Sequence, residues 1–189
     1  MIHYIGLDFE ATGSEPWGSD LPIEIGISSW GGETGFDVNL ESRIGGWQWG
    51  TDGEWNDRTV PIHHIEPADL VKAPPVWQVD ITMAAALLRQ GLGSRMWNIV
   101  VGWNVAGYDR QFITRWFPNL NRLFSYRTLD LNAVIYSKVE DEKGYEALKR
   151  EAKSYAQERM TVVGATGDWH SALYDARASM YALEFLRGQ

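Results

Sequence analysis

The chain opens on I-H-Y-I-G-L-D-F-E (2–10), a short run rich in large apolar residues that stops at A-T-G-S, the pattern of a buried first strand. P-I-E-I-G-I-S-S-W (22–30), a turn at Gly31 and Gly32, and G-F-D-V-N-L (35–40) predict a hairpin, so three antiparallel strands lead the fold. From Glu41 to Val60 no period is sustained and turn signals crowd together, which predicts a long loop or loose hairpin. After Pro74 and Pro75 the spacing of Trp77, Ile81, Ala84, Leu87 and Leu88 predicts a helix with those residues on its buried stripe, ended by Gly91 and Gly93. N-I-V-V-G-W (98–103) predicts a strand, Gly107 to Phe117 a helix stopped by Pro118, and Y-R-T-L-D-L (126–131) a short strand running into N-A-V-I-Y. Tyr145 to Met160 has helix-forming composition with Glu146 and Arg150 at i, i+4. Leu173, Ala176, Met180 and Leu183 stand at helical spacing in the last segment. Strands first and alternation later predict an α/β fold, a mixed sheet with helices on its faces.

Length and composition narrow the class. At 189 residues with 44% hydrophobic and 22% charged residues, a single domain over 1–189 with one core is expected. The longest apolar run, Met83 to Leu88, is far short of the roughly twenty residues that span a bilayer, and the acidic start does not resemble a secretory leader. A cytoplasmic location with no membrane partner is therefore expected. The absence of cysteine removes disulfides, thiolate-bound zinc, iron–sulfur clusters and cysteine nucleophiles, so any metal must use oxygen or imidazole ligands. The net charge of -8 argues against a broad basic face gripping phosphates. That average hides an asymmetry: residues 1–94 carry 4 basic and 14 acidic side chains, residues 95–189 carry 13 and 11, so a local polyanion contact belongs to the second half.

Asp8 and Glu10 share one face of the first strand, because side chains at i and i+2 point the same way. Two carboxylates that close repel, and each takes up a proton or gains a cation, for which Mg²⁺ or Mn²⁺ is the natural choice. The plain alternative is that Glu10 caps the strand in solvent. Asp109 follows a predicted strand at the first turn of a helix, where open α/β sheets build sites. Asp175 lies on the last helix and His170 five residues earlier. Five helical steps would leave them about 140° apart, so convergence requires His170 to sit in the T-G-D-W loop or at the first turn.

These residues resemble a family, the DEDDh exonucleases, DnaQ-like 3'-to-5' enzymes on an RNase H-like fold with a mixed five-stranded sheet flanked by helices; proofreading exonuclease, oligoribonuclease and RNase T belong to it. The first motif, D-x-E-x-T-G, is similar to Asp8, Glu10, Thr12 and Gly13. Trp103, Asn104, Asp109 and Phe112 resemble the next motif, with tryptophan in place of the usual histidine and one residue more than proofreading enzymes carry before the aspartate. The third, H-x4-D, is matched by His170 and Asp175, and I-H-H-I (62–65) resembles the family's I-H-G-I with His64 where glycine is usual. The resemblance implies that Asp8, Glu10, Asp109 and Asp175 hold two Mg²⁺ or Mn²⁺ ions roughly 3.5 to 4 Å apart, with His170 taking a proton from the attacking water. The implied partner is the 3' end of single-stranded DNA or RNA, the implied product a nucleoside 5'-monophosphate, and several relatives are homodimers.

Phe9 and Thr12 would, by resemblance, hold the terminal nucleotide, and His63 or His64 would stand near it, although a loop hydrogen bond is the simpler role for either histidine. His3 reads as a strand-surface residue. Ten tryptophans are expected mostly in the core, except Trp47, Trp49 and Trp55 in the glycine-rich 45–55 segment; one of these, or Trp103, could stack on bases. Arg110, next to Asp109, is the better phosphate candidate among Arg110, Arg115, Arg122 and Arg127. No G-x-S-x-G, Walker A or dinucleotide fingerprint occurs. The alternatives are a non-catalytic nucleic-acid-binding or interaction module on the same fold, and a metal-dependent nuclease that cuts internally.

Overall fold

A computed structural model describes residues 2–30, 36–93, 96–165 and 169–189. The turn expected at Gly31 and Gly32 lies outside them, as do Thr166, Gly167 and Asp168 of the loop expected before the last helix. Strands β1 (His3–Ala11), β2 (Pro22–Trp30), β3 (Phe36–Arg43), β4 (Asn98–Gly102) and β5 (Thr128–Asp130) form one sheet in the order β3-β2-β1-β4-β5. The β1, β2 and β3 pairs are antiparallel, and β4 joins β1, and β5 joins β4, in parallel. This is the mixed five-stranded sheet that the sequence predicts.

Helices α1 (Val60–His63), α2 (Pro67–Leu70), α3 (Val76–Arg89), α4 (Asp109–Trp116), α5 (Pro118–Leu123), α6 (Leu131–Tyr136), α7 (Glu142–Val162) and α8 (Ala172–Gly188) complete the described elements. Alternation along β1 sorts two cores. Ile5, Leu7 and Phe9 pack with α3, α4 and α5, where Phe9 meets Phe112 and Phe117 at 5.7 and 5.3 Å between ring centres. The opposite face lies under α8, which with α6 and α7 builds the second core around Ile135, Met160 and Tyr181.

Two glycines decide how closely α8 approaches. A Cβ at Gly6 would overlap the main chain of Ala176, and one at Gly26 the main chain of Ala172, so the helix backbone rests directly on β1 and β2. Small residues, Ala172 and Ala176, stand where the helix touches the two glycines, while Tyr174, Met180, Tyr181, Leu183 and Leu186 are among its other buried residues. Because Asp8 pairs with Gly26, this seat sets the start of α8 beside the first acid of the chain.

Three expectations are corrected. The helix after Pro75 buries Val79, Asp80, Met83, Ala84 and Leu87, while Trp77, Ile81 and Leu88 face outward. The cause is polar: the Asp80 carboxylate accepts bonds from the backbone N–H groups of Asn119 and Leu120 and from the Asn119 amide at 2.8 to 3.0 Å, capping α5 and fixing the rotation of α3. The loop region expected from 41 to 60 starts later, since β3 runs to Arg43, and Pro118 begins α5 as well as ending α4. No tryptophan is fully buried: Trp30, Trp47, Trp55, Trp103, Trp116 and Trp169 pack part of their surface against the cores, and Trp17, Trp49, Trp77 and Trp97 are exposed. Trp47 meets Trp116, Trp49 meets Trp55, and Trp55 meets His63, each edge to face, so the 45–55 segment packs its own aromatics.

Candidate active site

Asp8 and Glu10 project from the β1 face that α8 covers, as their spacing predicts. Asp109 is the first residue of α4, and its Oδ1 accepts the Phe9 backbone N–H at 2.9 Å, so the strand residue between the two acids anchors the third. The start of α4 is held further by the Tyr108 hydroxyl, which donates to the Gly13 carbonyl at 3.1 Å, and its last turn by Arg115, which donates to the Pro16 and Gly18 carbonyls at 2.7 Å.

The fourth acid and the histidine arrive on α8. His170 lies two residues before the helix with a left-handed backbone, φ 71°, and its N–H donates to Asp175 Oδ2 at 3.0 Å. That kink is how two side chains five residues apart reach one side, the loop placement that the helical geometry requires. Two acids from the sheet hold this start: Glu24 accepts the Ala172 N–H at 3.1 Å, and Glu41 accepts the Ser171 hydroxyl at 3.0 Å. Arg43 pairs with Glu24 at 3.3 Å and with Asp69 at 3.4 Å, tying α2 to the same network. Carboxylates at a helix N-terminus are also favoured by its dipole.

Asp8, Glu10, His170 and Asp175 line one cleft of about 870 Å³, with Phe9, Trp103 and Tyr108. Ligand atoms of Glu10, His170 and Asp175 lie within 4.8 Å of one another. Burial pushes the Glu10 carboxyl up to about 9, with Asp175, Glu24 and Asp109 adding repulsion. Burial likewise raises Asp109 to about 8, against the lowering effect of the Phe9 N–H. Asp8 is driven well above the usual carboxylate range by burial and then by Asp109, Asp175 and Glu10. Among the described residues no hydrogen bond or ion pair neutralises Asp8 or Glu10. An oxygen-rich, desolvated set of acids beside an imidazole fits a hard divalent cation, the counter-charge that would let all the acids ionise together.

Other residues expected at the site are elsewhere. Thr12 is buried, and its hydroxyl accepts the Leu21 N–H at 3.0 Å, closing the turn after β1. His63 is buried, bonding Thr59 through Nε2 and accepting the Ile65 N–H through Nδ1, and burial lowers its pKa to about 4. His64 ends α1 with φ 56°, a conformation glycine adopts without strain, which accounts for glycine in the similar I-H-G-I pattern. Asn104, φ 57°, is exposed at the turn after β4 and does not line the cleft; Arg110 is buried in α4 and does not line it either. The cations that do line it, Lys149, Arg150 and Lys153, belong to α7, together with Trp169 from the loop before α8. The sequence points to Arg150 only as a helix charge partner and to Trp169 only as part of a loop, and gives no site role to Lys149, Lys153, Glu24 or Glu41; the basic second half of the chain and the K-R-x-x-K spacing are the available signal.

The chain matches the exonuclease family model, RNase_T, over residues 5–183. No curated protein matches it in sequence. It is similar in structure to the nuclease domain of 3'hExo, a DEDDh family member, bound to rAMP: TM-score 0.63, 15% identity, 98% of this chain and 92% of that one covered. Cell-death related nuclease 4 superposes with a TM-score of 0.64 at 11% identity, over 98% of this chain and 64% of that one. E. coli exonuclease I in complex with a 5cy-dT13 oligonucleotide gives 0.60 at 13% identity, over 100% of this chain and 41% of that one. These identities speak for a shared fold, and the family match spans nearly the whole sequence. The chain belongs to the exonuclease family.

Proposed function

We propose that residues 1–189 act as one exonuclease domain that hydrolyses single-stranded DNA or RNA from the 3' end and releases nucleoside 5'-monophosphates. The observation that carries this is the meeting of Asp8, Glu10, His170 and Asp175 in one cleft, with Asp109 bonded to the backbone between the two strand acids. Two Mg²⁺ or Mn²⁺ ions, held by Asp8, Glu10, Asp109 and Asp175, would supply Lewis-acid neutralisation at the scissile phosphate.

His170 acts as general base, accepting a proton from the attacking water at an imidazole nitrogen; water adds to phosphorus and the bond to the 3'-oxygen breaks. The bond between its own N–H and Asp175 holds the imidazole beside the acids. Glu24 and Glu41 keep that loop in place through the start of α8. The ring of Phe9 packs against Phe112 and Phe117 on the opposite face of the sheet and so anchors the backbone between Asp8 and Glu10. A binding module without catalysis would have no need of four acids around one imidazole.

Chromatography of the products of an unlabelled single-stranded oligonucleotide with Mn²⁺ tests this. Nucleoside 5'-monophosphates are expected as the main product; 3'-monophosphates or oligonucleotide fragments alone would overturn it.

A further inference from the structure

We propose that the α7 side of the cleft is a phosphate-gripping wall, in which Lys149 and Lys153 bind backbone phosphates of the substrate strand beyond the one that is cut. This rests on the exonuclease reading and adds to it a recognition surface that is indifferent to base and sugar.

The wall is built from cations and indoles. The Lys149 and Lys153 ammonium groups lie 5.7 and 5.5 Å from the centre of the Trp103 ring, and Lys153 lies 5.3 Å from that of Trp169. All three distances are within the reach of cation–π attraction, roughly 6 Å. Lys149 also donates to the Tyr145 hydroxyl at 3.1 Å, which in turn donates to Asn132 of α6 at 2.6 Å. Among the described residues neither lysine forms an ion pair. Two oriented ammonium groups therefore face a cleft whose other wall holds the acids.

An anion that satisfies this wall and also reaches the acid floor must be long enough to span the cleft. Lys149, Arg150 and Lys153 cover about 6 Å of helix axis, one turn, so the wall offers separate cations to successive phosphates of one strand. Cations read phosphates and not base edges. Trp103 thereby gains a role other than base stacking: its ring holds the two ammonium groups beside the cleft.

The test measures binding of a 5'-fluorescein single-stranded oligonucleotide by anisotropy, with Ca²⁺ replacing Mg²⁺ to suppress turnover, across a range of salt. Two phosphate contacts on a single strand correspond to a slope of log K against log salt of about -1.4. The double variant Lys149→Gln, Lys153→Gln should lose about tenfold in affinity at low salt and flatten the slope by that amount. The pair Lys149→Arg, Lys153→Arg, which keeps the charge, should retain the slope, and Lys72→Gln, an exposed lysine outside the cleft lining, should match wild type. Wild-type affinity and slope in the glutamine pair, or no binding by wild type, would overturn the wall. Binding lost in the glutamine pair while wild type fails to shorten the strand in Mn²⁺ would leave the wall standing and overturn the nuclease reading. Turnover by wild type with an unchanged slope in the glutamine pair would do the reverse.

Discussion

The two sides of the cleft are built on opposite physical terms. The floor is made of acids that burial and mutual repulsion push toward protonation, on backbone locked to the sheet by Gly6 and Gly26. The wall is made of long cationic side chains on the surface of α7, guided by weak contacts with indoles. The floor has stored strain that a divalent cation relieves, so it is poised for chemistry; the wall is nearly free of strain and suited to grip and release. A processive or distributive exonuclease needs both, because a strand held as tightly as the reacting phosphate could not advance.

The largest expected effects lie in the floor. Asp8→Asn and Asp175→Asn should each lower turnover by about three orders of magnitude, equivalent to about 4 kcal/mol of lost transition-state stabilisation. His170→Ala should cost about 10²- to 10⁴-fold in kcat, the range of a lost general base. In metal-free protein, Asp8→Asn should raise the Tm by about 2 to 4 °C by relieving carboxylate repulsion, an inversion absent from any conservative change in the wall. Steady-state kinetics beside calorimetry would separate the two effects; a destabilised and fully active Asp8→Asn would remove Asp8 from the floor.

Next comes the seat of α8. Gly26→Ala would drive a methyl into the main chain of Ala172, at a cost of about 1 to 3 kcal/mol or more, and shift His170 and Asp175 away from Asp8. Activity should fall further than stability alone explains, measured as kcat on the fraction still folded by circular dichroism. Wild-type kcat would mean that the close seat does not set the site.

The floor should also show in the pH dependence of stability. Glu10 and Asp109 have folded pKa values raised to about 9 and 8, so their contribution is fully present below the ordinary carboxylate range and is lost as pH rises through 8 to 9. Metal-free Tm should therefore climb as pH falls from 9 toward 6.5. Below that, His63, lowered to about 4, opposes the gain, since a buried neutral imidazole loses stability as pH falls from 6.5 through 4. Saturating Mg²⁺ should flatten the alkaline arm by binding the ionised acids. A metal-free Tm that rises toward pH 9 would contradict the strain in the floor.

The same contrast explains what is legible in the sequence. Asp8, Glu10, Asp109, His170 and Asp175 can be found because each sits at a fixed place relative to a strand end or helix start, and those places have sequence signals. Lys149 and Lys153 cannot, because a cation on a surface helix looks the same whether it faces a cleft or bulk water, and only the tertiary placement of Trp103 and Trp169 distinguishes them. The buried face of α3 departs from its apolar spacing for a related reason: hydrophobic periodicity cannot see that a buried Asp80, satisfied by the start of α5, outweighs the exposure of Trp77 and Ile81.

The smallest effect sharpens the comparison from outside the cleft. Trp49→Ser, in a segment whose aromatics pair with one another, should leave turnover within about twofold of wild type. A tenfold rise in KM would bring the 45–55 segment into substrate binding.

The most direct test of convergence is the fate of a 5'-end-labelled single-stranded oligonucleotide incubated with Mn²⁺ and either wild type or Asp175→Asn. The account predicts a ladder shortening one nucleotide at a time from the 3' end with wild type, and an intact strand with the variant. Internal cuts, no cuts by wild type, or an undiminished ladder from Asp175→Asn would contradict it.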